Sequence, residues 1–263
     1  MTFAALTYFT DLQTFLLGVV AVALVGLSKG GLGGAMALIA VPLLAFVMPP
    51  MQAAALLLPV LLAMDAISLW AWRGYYDKQL LLDMLPAGIL GIAVGASAVS
   101  ITSDDFVRLV VGLVALLFVI RTAIAARGGT ARRAARQNRP LAAVFGTFAG
   151  FTSFVAHAGG PPFQVYAMPL RLDPKVFTGT SVIFFSVMNA IKVLPYAALG
   201  EFTSRSLWSA LTLLPIALVS TFLGAAIVKR MRAEIFYPIM YVMVALVSAK
   251  LIYDGVTGML GWA

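Results

Sequence analysis

Residues 12–48 read LQTFLLGVVAVALVGLSKGGLGGAMALIAVPLLAFVM, an apolar run whose only charged residue is Lys29. A single membrane helix needs about 20 apolar residues, roughly 17–25, so this run is too long for one ordinary span. It is interrupted near its middle by Ser28-Lys29-Gly30-Gly31-Leu32-Gly33-Gly34. Glycine weakens helix continuity, and irregular backbone at membrane depth is tolerated only where protein or a wet cavity surrounds it. The stretch is therefore expected to be two half-helices or a re-entrant hairpin folded around the glycine break. Residues 141–170 repeat the pattern, broken by His157-Ala158-Gly159-Gly160-Pro161-Pro162.

Working outward, six further segments have the length and apolarity of single spans: Pro50–Trp72, Leu80–Ser100, Phe106–Ala126, Thr178–Leu199, Leu207–Val228 and Ile235–Tyr253. With 62% hydrophobic and only 11% charged residues and a mean hydropathy of +1.01, the chain lacks the polar shell that a water-soluble globule of this size requires. The apolar runs are continuous and not alternating, which excludes barrel strands and leaves helices as the spanning elements. The expected class is an all-α polytopic membrane protein. Residues from Leu12 onward are expected to belong to the mature chain, because Met1 to Gln13 carry no Lys or Arg and so lack the basic region of a signal peptide.

The net charge of +8 does not point to nucleic acid, because the basic residues cluster in short loops. Arg121, Arg127, Arg132, Arg133, Arg136 and Arg139 place the central loop in the cytoplasm by the positive-inside rule. Counting from there, the Arg73/Lys78, Arg171/Lys175 and Lys229/Arg230/Arg232 loops also fall inside, and the Asp104/Asp105 and Glu201 loops outside. This closes only if each interrupted segment begins and ends on the same side. Both termini are then expected outside, in a multi-pass protein of the cell (inner) membrane.

An internal repeat follows the same division. Gly33-Gly34 followed by Pro42 resembles Gly159-Gly160 followed by Pro169; Met64-Asp65-Ala66 aligns with Met188-Asn189-Ala190; Pro86, Gly91 and Gly95 match Pro215, Ser220 and Gly224. The expected architecture is two inverted-topology repeats, residues 1–126 and 140–263, joined by a cytoplasmic basic linker over 127–139. Each repeat holds one Gly-broken helical hairpin and three transmembrane helices. Paired broken segments in inverted halves are the plan of secondary transporters, with the site at the repeat interface.

Five ionisable residues fall inside the spans, where a charge at the helix centre costs roughly 2.5–3.5 kcal/mol: Lys29, Asp65, His157, Lys192 and Lys250. Lys29 stands beside Ser28 at the first break and His157 near Ser153 at the second, where half-helix amides and a positive charge suit an anion. Asp65 and its counterpart Asn189 are expected to pair, with Asp65 also the natural partner of Lys29. Lys192, three residues after Asn189, shares its helix face and is a candidate pathway residue. Lys250 lies four residues before Asp254, the spacing of a local ion pair. The small residues Ala87, Gly91 and Gly95, with Ser220 and Gly224, and Gly146 with Gly150, read as close helix packing. Trp70 and Trp72, beside Arg73, read as an interfacial aromatic belt. One His and no Cys cannot build the usual zinc sites, and no nucleotide-binding or nucleophile motif is present. No cofactor is expected.

The Gly30-Gly31-Leu32-Gly33-Gly34 break followed by Pro42, the Ala53-Ala54-Ala55 helix, the second break leading into Pro169, and Thr178-Gly179-Thr180-Ser181 at a helix start resemble the TauE/SafE sulfite exporter family over nearly the whole chain. The resemblance implies a secondary exporter or permease for sulfite, sulfonates such as sulfoacetate, or related small anions. Prolines at 161 and 162 stand where the first half has Ala35-Met36, a departure from strict symmetry.

The expected function is therefore transport of a small sulfur-containing anion by alternating access. The binding residues would be Ser28, Lys29, Gly30, Gly31, Gly33 and Gly34 from one break, and Ser153, His157, Gly159, Gly160 and Gln164 from the other. Asp65, Asn189 and Lys192 would serve coupling or the pathway. Anion export would run with a negative-inside potential, at about 2.3 kcal/mol per charge per 100 mV. A coupled proton on Asp65 or His157 and a homo-oligomeric state are compatible with this reading and not required by it. The alternatives are an anion-selective channel, a permease for another small organic anion, and an intramembrane enzyme with His157 as acid or base, for which no nucleophile can be named.

Overall fold

Two residues with short carbonyl-bearing side chains set where the broken segments begin. Asp11 caps the first helix, its Oδ1 accepting from Thr14 N at 2.8 Å while its own N–H donates to Thr14 Oγ1, a reciprocal capping box. The Thr14 amide also holds the Asp11 carboxyl below its ordinary pKa. Asn138 does the same for the fifth helix, Oδ1 accepting from Leu141 N at 3.0 Å, with a proline in the first turn.

The computed structural model describes residues 7–32, 44, 50–98, 102–127, 134–156, 158–198 and 203–261. Among these the chain is helical, without strands: α1 (Leu12–Leu27), a π turn (Ser28–Leu32), α2 (Pro50–Ala71), α3 (Lys78–Ala98), α4 (Asp104–Arg127), α5 (Arg139–Val155), α6 (Gly160–Ala167) with a 3₁₀ turn (Met168–Leu170), α7 (Pro174–Ala198), α8 (Ser204–Lys229) and α9 (Ala233–Met259). Six helices are long and apolar enough to cross a bilayer, and large apolar side chains such as Leu117, Ile124, Leu211, Phe222 and Leu246 are exposed along them. In hydrocarbon such faces are solvated by lipid. The chain is an all-helical, multi-pass membrane protein.

Two compact units form. The first comprises Met1–Gly74 and Phe185–Arg230, the second Tyr75–Phe184 and Met231–Ala263, so α7 contributes its beginning to the second and its remainder to the first. In the first unit α8 packs against α1, the π turn and α2. A Cβ on Gly30 would strike Thr221 O, Ala225 N and Gly224 Cα, and one on Gly224 would strike Leu27 O and Gly30 Cα. Backbone lies directly on backbone there, an approach open only to residues without side chains. Gly31 has φ 138, a conformation that other residues rarely adopt. The break thus needs its glycines for two separate reasons. Phe9, Val22, Val25, Leu56, Val60, Met64 and Leu213 fill the surrounding core.

In the second unit α3 packs on α5 and α4 on α9. A Cβ on Gly150 would meet the Gly88 carbonyl, and one on Gly146 the Met84 carbonyl, so the small-residue seams expected for packing serve that role. The second interruption is a true break. α5 ends at Val155, Ala158 N donates to Thr152 O at 3.0 Å, Thr152 Oγ1 donates to Ala158 O at 3.2 Å, and α6 restarts at Gly160. Lys250 Nζ lies 2.5 Å from Asp254 Oδ2, the local pair that the spacing predicts.

The expectation for Trp72 is corrected. Trp70 is 58% exposed with Arg73 over its ring, but Trp72 is 1% exposed and its Nε1 donates to Gly30 O at 2.9 Å. Two residues apart on a helix, the rings point about 200° from one another, so only one can face lipid. Trp72 instead satisfies a carbonyl freed by the glycine break. Trp72→Phe is expected to keep the packing and orphan that carbonyl, costing about 1–3 kcal/mol, read as a lower thermal unfolding midpoint in detergent.

Candidate functional site

The π turn holds Lys29 in place through its backbone. Ser68 Oγ donates to Lys29 O at 3.2 Å, and Trp72 Nε1 holds the next carbonyl, Gly30 O. Ser68 and Trp72 lie three and seven residues after Asp65, on the same face of α2, so one helix face fastens the turn and presents a carboxylate to it. Lys29 Nζ sits 2.5 Å from Asp65 Oδ1. The other carboxylate oxygen, Oδ2, accepts from Asn189 Nδ2 at 2.7 Å. Asp65 and Asn189 are each 5% exposed or less, as expected of a paired polar contact in an apolar surround. The pairings expected of Lys29, Asp65 and Asn189 are both present.

One turn along α7, Lys192 is 3% exposed and interacts electrostatically with both Lys29 and Asp65. One carboxylate stands between the Lys29 ammonium and the Asn189 amide. The remaining charged residues described in this unit, Asp11, Arg73, Arg205, Lys229 and Arg230, stand at or beyond helix ends, and residues 33–49 contain no ionisable side chain. Within the helices the cluster holds two lysines and one carboxylate, a set of side chains that suits an anion in a low-dielectric site.

Ser186 was not legible as a site residue. It lies three residues before Asn189 on the same face of α7, is 6% exposed, and its Oγ is buried with no hydrogen-bond partner among the described residues. A buried hydroxyl without a partner costs free energy unless something supplies one. The only sequence signal was the spacing Ser186, Asn189, Lys192 at successive turns.

At the first break one amide and two carbonyls have assigned partners. The Ser28 amide donates back to Leu24 O and Val25 O, and the carbonyls of Lys29 and Gly30 are the groups that accept from side chains. Gly33 and Gly34 lie outside the described residues. In the second unit, Ser153 is buried at the end of α5, Gly159 caps α6, and Gly160 opens it, with Gln164 one turn further and 6% exposed. A Cβ on Gly159 would strike Ala149 O and the Ser153 side chain. Because Pro161 and Pro162 carry no N–H, the α6 terminus has fewer amides to offer than an ordinary helix start. His157 lies outside the described residues. Among the described residues no group of His, Cys, Asp and Glu is arranged to hold a metal ion.

A family model described as Sulfite exporter TauE/SafE matches residues 18–251, which include both breaks, Asp65, Asn189 and Lys192. No curated protein and no solved structure matches the chain significantly. The order of broken segments and spans and the family match agree, and the chain belongs to the TauE/SafE sulfite exporter family.

Proposed function

We propose that this protein is a secondary transporter, working as an exporter, of a small sulfur-containing anion such as sulfite or an organosulfonate, with the anion held beside Lys29 and Lys192 where two inverted repeats meet. Family membership supports the transported class. The observation that carries the site is the largely buried Lys29–Asp65 ion pair, held by Asn189, with buried Lys192 one turn along α7. Lys29 and Asp65 come from the first half of the sequence and Asn189 and Lys192 from the second, so the cluster is made by both halves within one compact unit.

Three correspondences support the repeat. Asp11 and Asn138 cap α1 and α5 in the same way. α2 and α7 both begin with proline and carry Asp65 and Asn189 at matching depth. The first arm of each broken segment packs on the second full span of the other half, α1 on α8 and α5 on α3. Rocking of elements around a site shared by two such halves alternates its access. Ser153, His157, Gly159, Gly160 and Gln164 remain proposed binding residues of the second break, and the central loop is proposed to be cytoplasmic.

The test is flux in proteoliposomes with sulfite, sulfoacetate and acetate. Saturable uptake of a sulfur anion, accelerated by the same anion on the opposite side, is the expected result. Unitary currents in a planar bilayer would replace the carrier by a channel, and absence of flux for every sulfur anion would overturn the substrate class. Ser186→Ala separates binding from folding. Removing an unpartnered hydroxyl leaves thermal stability unchanged or slightly higher, whereas the half-saturating anion concentration rises roughly threefold to tenfold, the worth of one hydrogen bond.

A further inference from the structure

In the ligand-free protein the Lys29 ammonium is already occupied. Asp65 Oδ1 is in direct contact with it, and Oδ2 is held by Asn189. An anion that takes hold of Lys29 therefore arrives within contact distance of a carboxylate. Two negative charges at that separation in a low-dielectric site cannot both persist, and one of them takes up a proton. A sulfonic acid is far stronger than a carboxylic acid, so with a sulfonate the proton goes to the carboxylate.

We propose that Asp65 is an exchangeable counter-anion: the transported anion takes its place on Lys29, Asp65 Oδ1 takes up one proton from the loading side, and anion and proton cross together. This rests on the anion-transporter reading of the same cluster. The balance is simple. The Lys29–Asp65 pair is neutral; with a monoanion and a proton added it stays neutral, and release on the far side returns the proton and restores the Lys29–Asp65 contact. Asn189 keeps Oδ2 in place, so the protonated Oδ1 is directed at Lys29's new partner and donates to it.

Asp65 is the one carboxylate of the cluster among the described residues. Lys192 lies three residues after Asn189 on α7, and Lys29 contacts the carboxylate from the π turn. Its neighbours Asn189, Ser68 and Ser186 do not titrate. α8 carries charge only at its two ends, Arg205 and Lys229, and residues 33–49 carry none. A monoanion moved with one proton transfers no net charge, so the anion's own gradient together with the pH gradient, and not the membrane potential, sets its direction.

The experiment uses the full-length protein in proteoliposomes with an entrapped pH dye and the potential clamped by potassium and valinomycin. The probes are methanesulfonate and sulfoacetate, which do not titrate near neutral pH, with labelled sulfite alongside. An inward anion gradient is expected to acidify the interior by one proton per anion. Asp65→Asn is expected to abolish both the acidification and the stimulation of sulfite uptake by an inward proton gradient. Anion-for-anion exchange persists in that variant with a half-saturating concentration about tenfold lower, because the internal competitor is gone. Methanesulfonate or sulfoacetate entry without acidification, or proton-gradient stimulation of sulfite uptake intact in Asp65→Asn, overturns the coupling while leaving the transporter standing. Should Asp65→Asn fail to fold, the wild-type proton measurement decides alone. Absence of flux for all three anions overturns the transporter reading and the coupling with it.

Discussion

Lys29→Met is expected to destabilise the protein by about 3 kcal/mol, and the double variant Lys29→Met/Asp65→Asn to recover most of that loss. Breaking a buried ion pair from one side leaves an uncompensated charge at a cost of roughly 3–5 kcal/mol, whereas replacing both partners by neutral groups is often close to neutral. The lower end applies to this pair because Asn189 still donates to Asp65 Oδ2 when Lys29 is removed. Both side chains are largely buried, at 15% and 5% exposure, so water screens little of the effect. In the double variant the amide oxygen introduced by Asp65→Asn still accepts from Asn189, whose Nδ2 bonds Asp65 Oδ2 in the wild type. For a chain of this size 3 kcal/mol corresponds to a thermal midpoint lower by roughly 6–12 °C. Equal midpoints for the single variant and the wild type would show that the contact contributes nothing.

The second large effect is expected at Gly150, on the seam between α5 and α3. A Cβ there meets Gly88 O, C and Cα, all backbone, so no rotamer change can make room. The two helices must separate, and the neighbouring contacts of Gly146 with Met84 and of Gly91 with Thr147 and Phe151 loosen with them. Overpacking of this kind costs about 1–3 kcal/mol for a single methyl, and Gly150→Leu is expected to prevent folding. Val144→Leu on the same helix, 63% exposed, is expected to stay within about 0.5 kcal/mol. Thermal unfolding of the two α5 variants side by side checks the pair, and equal midpoints for Gly150→Ala and Val144→Leu would contradict the backbone contact.

The spans were legible because a helix in lipid must satisfy its own backbone and hide its charges, which writes length and apolarity into the sequence directly. The second interruption was legible for the related reason that Gly159-Gly160-Pro161-Pro162 cannot continue a helix, and α5 does stop at Val155. Asp65 with Lys29 was legible from charge alone, since a buried cation requires a partner. Trp72 departs from expectation because adjacency to Arg73 counts for less than helical phase; its spacing from Asp65 and Ser68 places all three on one face. Ser186 left almost no signal, as a lone serine in an apolar helix looks the same whether it bonds its own backbone or waits for a ligand. The partners at the first break were hidden too: glycine marks an interruption but does not say which side chains meet its backbone, and the structure shows Ser68 and Trp72 donating to the carbonyls of Lys29 and Gly30.

The central claim is that the Lys29 cluster is the anion site of a TauE/SafE family carrier, and the folded double variant Lys29→Met/Asp65→Asn tests it most directly. Labelled sulfite and sulfoacetate exchange would be measured in proteoliposomes at matched protein incorporation, with thermal stability verified on the same preparations. A stably folded double variant that has lost saturable exchange of both anions is the predicted result. Exchange at the wild-type rate and half-saturation would contradict it and move the site away from Lys29.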